Sequence, residues 1–140
     1  MSAARRCFVD SNVWLYAFVA GQDEAKSRAA IELIRRETPA ISVQVINEVC
    51  VNLIRKAAFD ETAVRALIES FFAKYHVVPV DKQVLLVASE LRQRYSLSYW
   101  DSTVTACALR AQADVLYSEV MQHGMIVEGS LSIVNPFAVR

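Results

Sequence analysis

Four carboxylates of this 140-residue chain stand where a strand ends or a helix begins. Asp10 follows the apolar run Cys7-Phe8-Val9, and Glu119 follows Val115-Leu116-Tyr117-Ser118. Glu48 falls in the first turns of a segment with helical periodicity, and Asp101 opens another, directly after Tyr99-Trp100. Like charges a few ångströms apart repel and raise one another's pKa, so acids do not gather without compensation. A divalent cation provides it, and an all-oxygen donor set suits Mg²⁺ or Mn²⁺, which keep several waters and add phosphate oxygens. A cation held this way lowers the pKa of a bound water and neutralises charge on a phosphodiester. The chemistry expected of the four acids is metal-assisted phosphodiester hydrolysis. Ser11, Asn12 and Ser118 are the neighbours able to donate hydrogen bonds that orient the acids or a metal-bound water.

Each acid also has a plainer reading. Asp10-Ser11-Asn12 suits a strand-to-helix junction, with Ser11 and Asn12 as caps before the apolar segment Val13 to Val19. Glu48 shares a helix face with Gln44 and Asn52, as on a solvated surface. Asp101 suits a helix N-terminus, where the dipole favours negative charge. Glu119 lies in a turn. His76 and His123 have no nucleophile at readable spacing, and no GxxxxGK[ST] or GxGxxG phosphate loop is present.

The surrounding pattern predicts what must position these residues. Strands are expected at Cys7–Val9, Ala40–Val43, His76–Val80, Asp114–Ser118, Met125–Val127 and Ile133–Val134. Helices are expected from Asp23 to about Glu37, around Ile46–Ala57, after Asp60, from Asp81 to about Tyr95, and over Tyr99–Gln112. The last is apolar almost all round, as a central buried helix would be. Alternating strands and helices imply an α/β fold with a mainly parallel sheet and right-handed crossovers. In such a sheet the site lies outside the strand carboxyl ends, near the switch in strand order. Asp10, Glu48, Asp101 and Glu119 are therefore expected in one crevice.

Composition narrows the classes. Hydrophobic residues make up 54% and charged residues 21%, with three Gly and three Pro, which excludes disordered and collagen-like chains. Fifteen basic residues balance fifteen acidic ones, so a chain-wide electrostatic grip on nucleic acid is not expected. Arg outnumbers Lys, and a local arginine patch on RNA remains open. Cys7, Cys50 and Cys107 are widely spaced, against a disulfide framework or a zinc site and in keeping with reducing cytoplasm. No signal peptide or membrane span is expected. The apolar and aromatic surplus (Trp14, Tyr16, Phe71, Phe72, Tyr95, Tyr99, Trp100) suggests a homodimer face and a partner groove, with walls between about Asp23 and Tyr75.

The segments FVDSNVWLYAF at 8 to 18, INEV at 46 to 49, YWDSTVTACAL at 99 to 109 and VLYSEVMQHGM at 115 to 125 carry a resemblance. The chain resembles PIN-domain proteins, most closely the endoribonuclease toxins of VapBC toxin–antitoxin systems, over essentially its whole length. The resemblance implies a single PIN-like domain over 1–140, a Rossmann-like three-layer sandwich with helices flanking a central sheet. Carried over by position, it implies Asp10, Glu48 and Asp101 as three of the site's acids; Glu119, from the strand-end reading, completes the expected catalytic set, with Mg²⁺ or Mn²⁺ on Asp10, Asp101 and Glu119. It also implies an RNA substrate, often tRNA, a homodimer, and a cognate antitoxin that reaches into the acidic crevice. One departure matters. Similar sequences read SED where this chain has Ser118-Glu119-Val120, so valine replaces the usual fourth acid. The alternative is thus a catalytically weakened or inactive module that still binds antitoxin or RNA. A phospho-acceptor receiver domain has a similar element order, but it needs a Lys after the fifth strand, and no Lys follows Lys82.

Overall fold

The computed structural model describes residues 5–138 apart from Ala20 and Gln22. In chain order the elements are β1 (Cys7–Val9), α1 (Ser11–Phe18), α2 (Glu24–Glu37), β2 (Ile41–Ser42), α3 (Val43–Ala57), α4 (Glu61–Lys74) and β3 (Val77–Val78). They continue with α5 (Lys82–Arg94), α6 (Tyr99–Arg110), β4 (Val115–Tyr117), β5 (Ile126–Val127) and β6 (Leu131–Val134). Every one of these helices starts at a residue whose side chain accepts a backbone N–H of the first turn: Asp10, Asp23, Ser42, Asp60, Asp81 and Ser98. Such caps satisfy donors that the helix itself leaves orphaned. Two expectations change here. The cap of α1 is Asp10 itself, accepting from the Ser11 N–H, while Ser11 and Asn12 are already helical. The second strand is cut to Ile41–Ser42, because Ser42 caps α3 and Val43 is its first residue.

β1, β4 and β6 run parallel, and β5 closes that sheet antiparallel, in the order β1-β4-β6-β5. β2 and β3 form a parallel pair. A parallel bridge from Phe8 to Ala40, with the Ala40 N–H donating to the Cys7 carbonyl at 2.9 Å, ties that pair beside β1. The result is a mainly parallel sheet flanked by helices, as the sequence predicts. The chain leaves β1 on one side and returns as β4 on the other, so the strand order reverses at the β1–β4 seam. Asp10 and Ser118 lie just past the carboxyl ends of those two strands.

Phe8, Val9, Leu116 and Ile133 are buried in the central strands. Trp14 of α1 donates its indole N–H to the Val9 carbonyl at 3.0 Å and meets Phe71 and Tyr75 edge-on, both at 5.2 Å between centroids. This cluster locks α1, and with it Asp10, to α4. Helix α6 is buried continuously from Ser102 to Ala108. Its hydroxyls turn back on its own backbone: Ser102 and Thr103 donate to the Tyr99 carbonyl and Thr105 to the Asp101 carbonyl. That satisfies polar groups which the core would otherwise strand. All three cysteines are free and buried. Among the described residues, no helix is long and apolar enough to cross a membrane.

Ser42 carries the positioning of Glu48, because it starts α3 from a fully buried site and accepts the Val45 N–H at 3.2 Å. Ser42→Ala should cost about 1–2 kcal/mol. A shift of the urea midpoint at unchanged slope would measure it, and no shift would show that the cap contributes nothing.

Candidate active site

Asp10 is the buried centre of the site. Its Oδ1 accepts the Ser11 N–H at 2.8 Å, and its Oδ2 accepts both the Ser118 hydroxyl at 2.9 Å and the Asn12 amide at 3.1 Å. Burial pushes the Asp10 carboxyl up; the bonds from Ser11, Ser118 and Asn12 pull it back, and the charge of Asp101 pushes the same way as burial. Asn12 has a second task. Its side-chain oxygen accepts the Glu119 N–H at 2.9 Å, so one amide spans the β1–β4 seam.

Glu48 faces Asp10 from α3, half-buried. Its Oε2 lies 3.4 Å from the Ser11 hydroxyl, and its Oε1 is buried with no hydrogen-bond partner. Burial raises its pKa first, then the charge of Asp10, with a smaller push from Asp101. Asp101 stands at the third position of α6, where its N–H is taken by the Ser98 hydroxyl at 3.1 Å and its carboxylate meets the positive end of the helix. The negative charge of Asp101 thus reaches both Asp10 and Glu48, although the three come from distant parts of the chain.

Glu119 points elsewhere. Its carboxylate accepts the Tyr16 hydroxyl at 2.9 Å and is ion-paired with Lys26. Lys26 also lies over the rings of Tyr16 and Phe137. Val120, the position where similar sequences carry an acid, is 69% exposed. Ser11, Asn12 and Ser118 all touch Asp10. His123 accepts the Asn135 N–H at 2.9 Å, an ordinary turn contact.

Gln44, Tyr16 and Lys26 belong to the site's surroundings, yet the sequence pattern does not mark them as site residues. Gln44 had the look of a solvated face one turn before Glu48. Instead it is half-buried, and both polar atoms of its amide are buried without a well-formed hydrogen bond. It is still close enough to Glu48 to lower that carboxyl's pKa. The only sequence signal for it was its i, i−4 spacing from Glu48.

The donor set is all oxygen, and the unpartnered Glu48 Oε1 beside a desolvated Asp10 suits a hard cation. Among the described residues, however, no three His, Cys, Asp or Glu side chains are grouped closely enough to hold a metal ion. Val120→Asp places a carboxylate at an exposed position, so stability should change by less than about 0.5 kcal/mol. If the chain uses a cation, this variant should bind it at least about tenfold more tightly, since one charge-assisted contact contributes about 1.5–3 kcal/mol. Isothermal titration with Mn²⁺ reads the change, and equal affinities would show that position 120 does not face the ion.

The PIN-domain profile matches residues 7–119, and the chain belongs to the PIN-domain family. A search of curated proteins gave no match. Among solved structures, the fold is similar to a chain of a toxin–antitoxin complex from Klebsiella pneumoniae, at TM-score 0.70 and 18% identity over 96% of this chain and 99% of that one. It is similar to VapC20 of Mycobacterium tuberculosis, a sarcin–ricin loop cleaving toxin, at TM-score 0.64 and 23% identity over 79% and 86%. It is also similar to a chain of FitAcB from Neisseria gonorrhoeae, at TM-score 0.65 and 14% identity over 95% and 99%. At these identities the likeness is one of fold.

Proposed function

We propose that this chain is a metal-dependent endoribonuclease, acting as a single domain over 1–140, and the toxin of a toxin–antitoxin pair. The observation that supports it most is the set Asp10, Glu48 and Asp101 at the switch point of a PIN fold, where burial and neighbouring negative charge raise the pKa of Asp10 and Glu48. Asp10 and Asp101 would hold Mg²⁺ or Mn²⁺, which when bound would activate water and neutralise the phosphate. Glu119 is the proposed third ligand, and to serve it must leave Lys26 and Tyr16. Ser11, Asn12 and Ser118 keep Asp10 oriented with their donors. Glu48, with a raised pKa and a free Oε1, is placed to take the proton of the attacking water. The similar structures include one solved as a toxin–antitoxin complex, and a homodimer silenced by such a partner is part of the proposal. A cationic antitoxin side chain in the acidic crevice would compete with the cation, so neutralising Asp10 and Asp101 should weaken that complex.

The exposed valine at 120 favours one second reading, a disabled nuclease that still binds antitoxin or RNA. The deciding experiment is incubation of a total tRNA pool with purified protein in Mg²⁺, Mn²⁺ or EDTA, with Asp10→Asn as the contamination control. Discrete fragments that require metal and vanish in Asp10→Asn are expected. Cleavage by Val120→Asp alone would support the disabled reading, and cleavage in EDTA would overturn the metal-dependent one.

A further inference from the structure

We infer that Trp100, held by Tyr99 and Arg92, is a stacking platform for an unpaired nucleobase next to the phosphate handled by the acids. The inference rests on the nuclease reading and extends it to how the substrate is gripped. Trp100 is 64% exposed and Tyr99 53%, although both begin the most buried helix of the molecule. The residue that follows them is Asp101. The pair is not loose: the rings meet edge-on at 5.3 Å, and the Arg92 guanidinium lies 4.3 Å from the Tyr99 centroid. Arg92 is anchored in turn, donating to the Ser102 hydroxyl at 2.7 Å. Tyr99 is therefore fixed on one side by a cation, and Trp100 stands against Tyr99 with its indole in solvent.

A rigid, solvated indole fits a flat apolar ligand. The groove it lines, of about 1050 Å³, runs along α3 past Gln44, Glu48 and Val51 to Arg55. Arg55 lies seven residues beyond Glu48, two helical turns or about 10 Å along the axis. The groove thus presents the Glu48 carboxylate, an aromatic wall at the start of α6, and the Arg55 cation at its far end. Single-stranded nucleic acid has the matching chemistry: a phosphate for the acid-held cation, a base for the ring, and a further phosphate for Arg55. A duplex offers no free base face, so the platform requires an unpaired base. Stacking is tolerant of base identity, so the selection is for strandedness rather than sequence.

The test uses full-length protein carrying Glu48→Gln, which keeps the proposed cation ligands Asp10 and Asp101 while the ligand is not consumed, in Mg²⁺. It is titrated with a single-stranded octaribonucleotide, with the same octamer in duplex, and with an abasic ribose-phosphate octamer. Indole emission and fluorescence anisotropy are recorded. Trp14 is buried, so quenching on binding reports Trp100. Expected are quenching by the single strand only and an affinity loss of about 5- to 150-fold in Trp100→Ala. Trp100→Phe should retain most of the affinity, and the abasic ligand should bind Trp100→Ala and its parent equally. Unchanged affinity in Trp100→Ala would overturn the inference. So would emission that ignores RNA in a protein whose dimer falls apart in Trp100→Ala, which would make the groove a face between two copies. Cleavage of tRNA by protein with Glu48 intact is scored separately. Cleavage without a Trp100 effect sinks the platform alone, whereas stacking without cleavage sinks the nuclease and leaves the platform.

Discussion

Asp10→Asn is expected to lower RNA cleavage by roughly 10²- to 10⁴-fold, the loss that follows when several kcal/mol of charge stabilisation is removed. Asn keeps the size of the side chain and an oxygen to accept the Ser11 N–H, so the cap of α1 survives. It loses the charge. It also turns a donor toward the Asn12 amide, which now bonds Asp10 Oδ2, but a desolvated carboxylate disappears at the same time. These opposing effects should leave the unfolding midpoint within about 1 kcal/mol of the parent. The activity loss would then be chemical, and circular dichroism with a urea titration on the same preparation separates it from misfolding. A variant as active as the parent would remove Asp10 from the machinery. The pH profile of the parent adds a second reading. Burial raises Asp10 and Glu48 above the ordinary values of 3.8 and 4.5, so cleavage should fall on acidification at a pH above both. An acid limb at the ordinary values would contradict their burial as the cause.

Stability should depend on pH and cation together. Without metal, the folded chain holds the Asp10 and Glu48 protons more tightly than the unfolded chain does. Below the unfolded values the two states carry equal protons and the pair costs nothing. As pH rises through the raised folded values, the folded state must ionise two desolvated, mutually repelling groups, and stability falls. Metal-free protein should therefore melt lower at pH 7.5 than at pH 5. Mg²⁺ reverses the cost where the acids are ionised. At a hundredfold excess over its Kd it contributes about 2.7 kcal/mol, or roughly 5–15 °C in melting temperature at this size. The gain should shrink at pH 5 and be absent in Asp10→Asn. Differential scanning calorimetry in EDTA and in Mg²⁺ measures both arms, and a Mg²⁺ shift equal at the two pH values would refute the linkage.

Much of this arrangement was legible in the sequence, for reasons that differ from residue to residue. β1 and β4 are short apolar runs that end in an acid or a serine, and burial leaves such runs few other roles. α6 announced its burial through an apolar sequence broken only by hydroxyls that can bond their own helix. The onset of α3 was less legible, since Val43 is β-branched and the capping by Ser42 decides between strand and helix. The direction of Glu119 was not legible at all. It is set by Lys26 and Tyr16, 93 and 103 residues away along the chain. Gln44 is hidden from the sequence because its periodicity marks an outer face, while the wall built by Tyr99, Trp100 and Val80 forms only once the helices are packed.

The β1–β4 pairing has a consequence for the time at which the acids first meet. Cys7, Phe8 and Val9 find their partners in Val115, Leu116 and Tyr117, more than a hundred residues later. During synthesis the chain emerges over seconds, and β1 waits through the making of six helices before β4 exists. A ribosome-bound chain that ends after α6 already carries Asp10, Glu48 and Asp101, but it has no seam to gather them and no Ser118 to orient the first. The nascent protein therefore stays without a formed site until its last strands are released, and a stalled or truncated copy never acquires one.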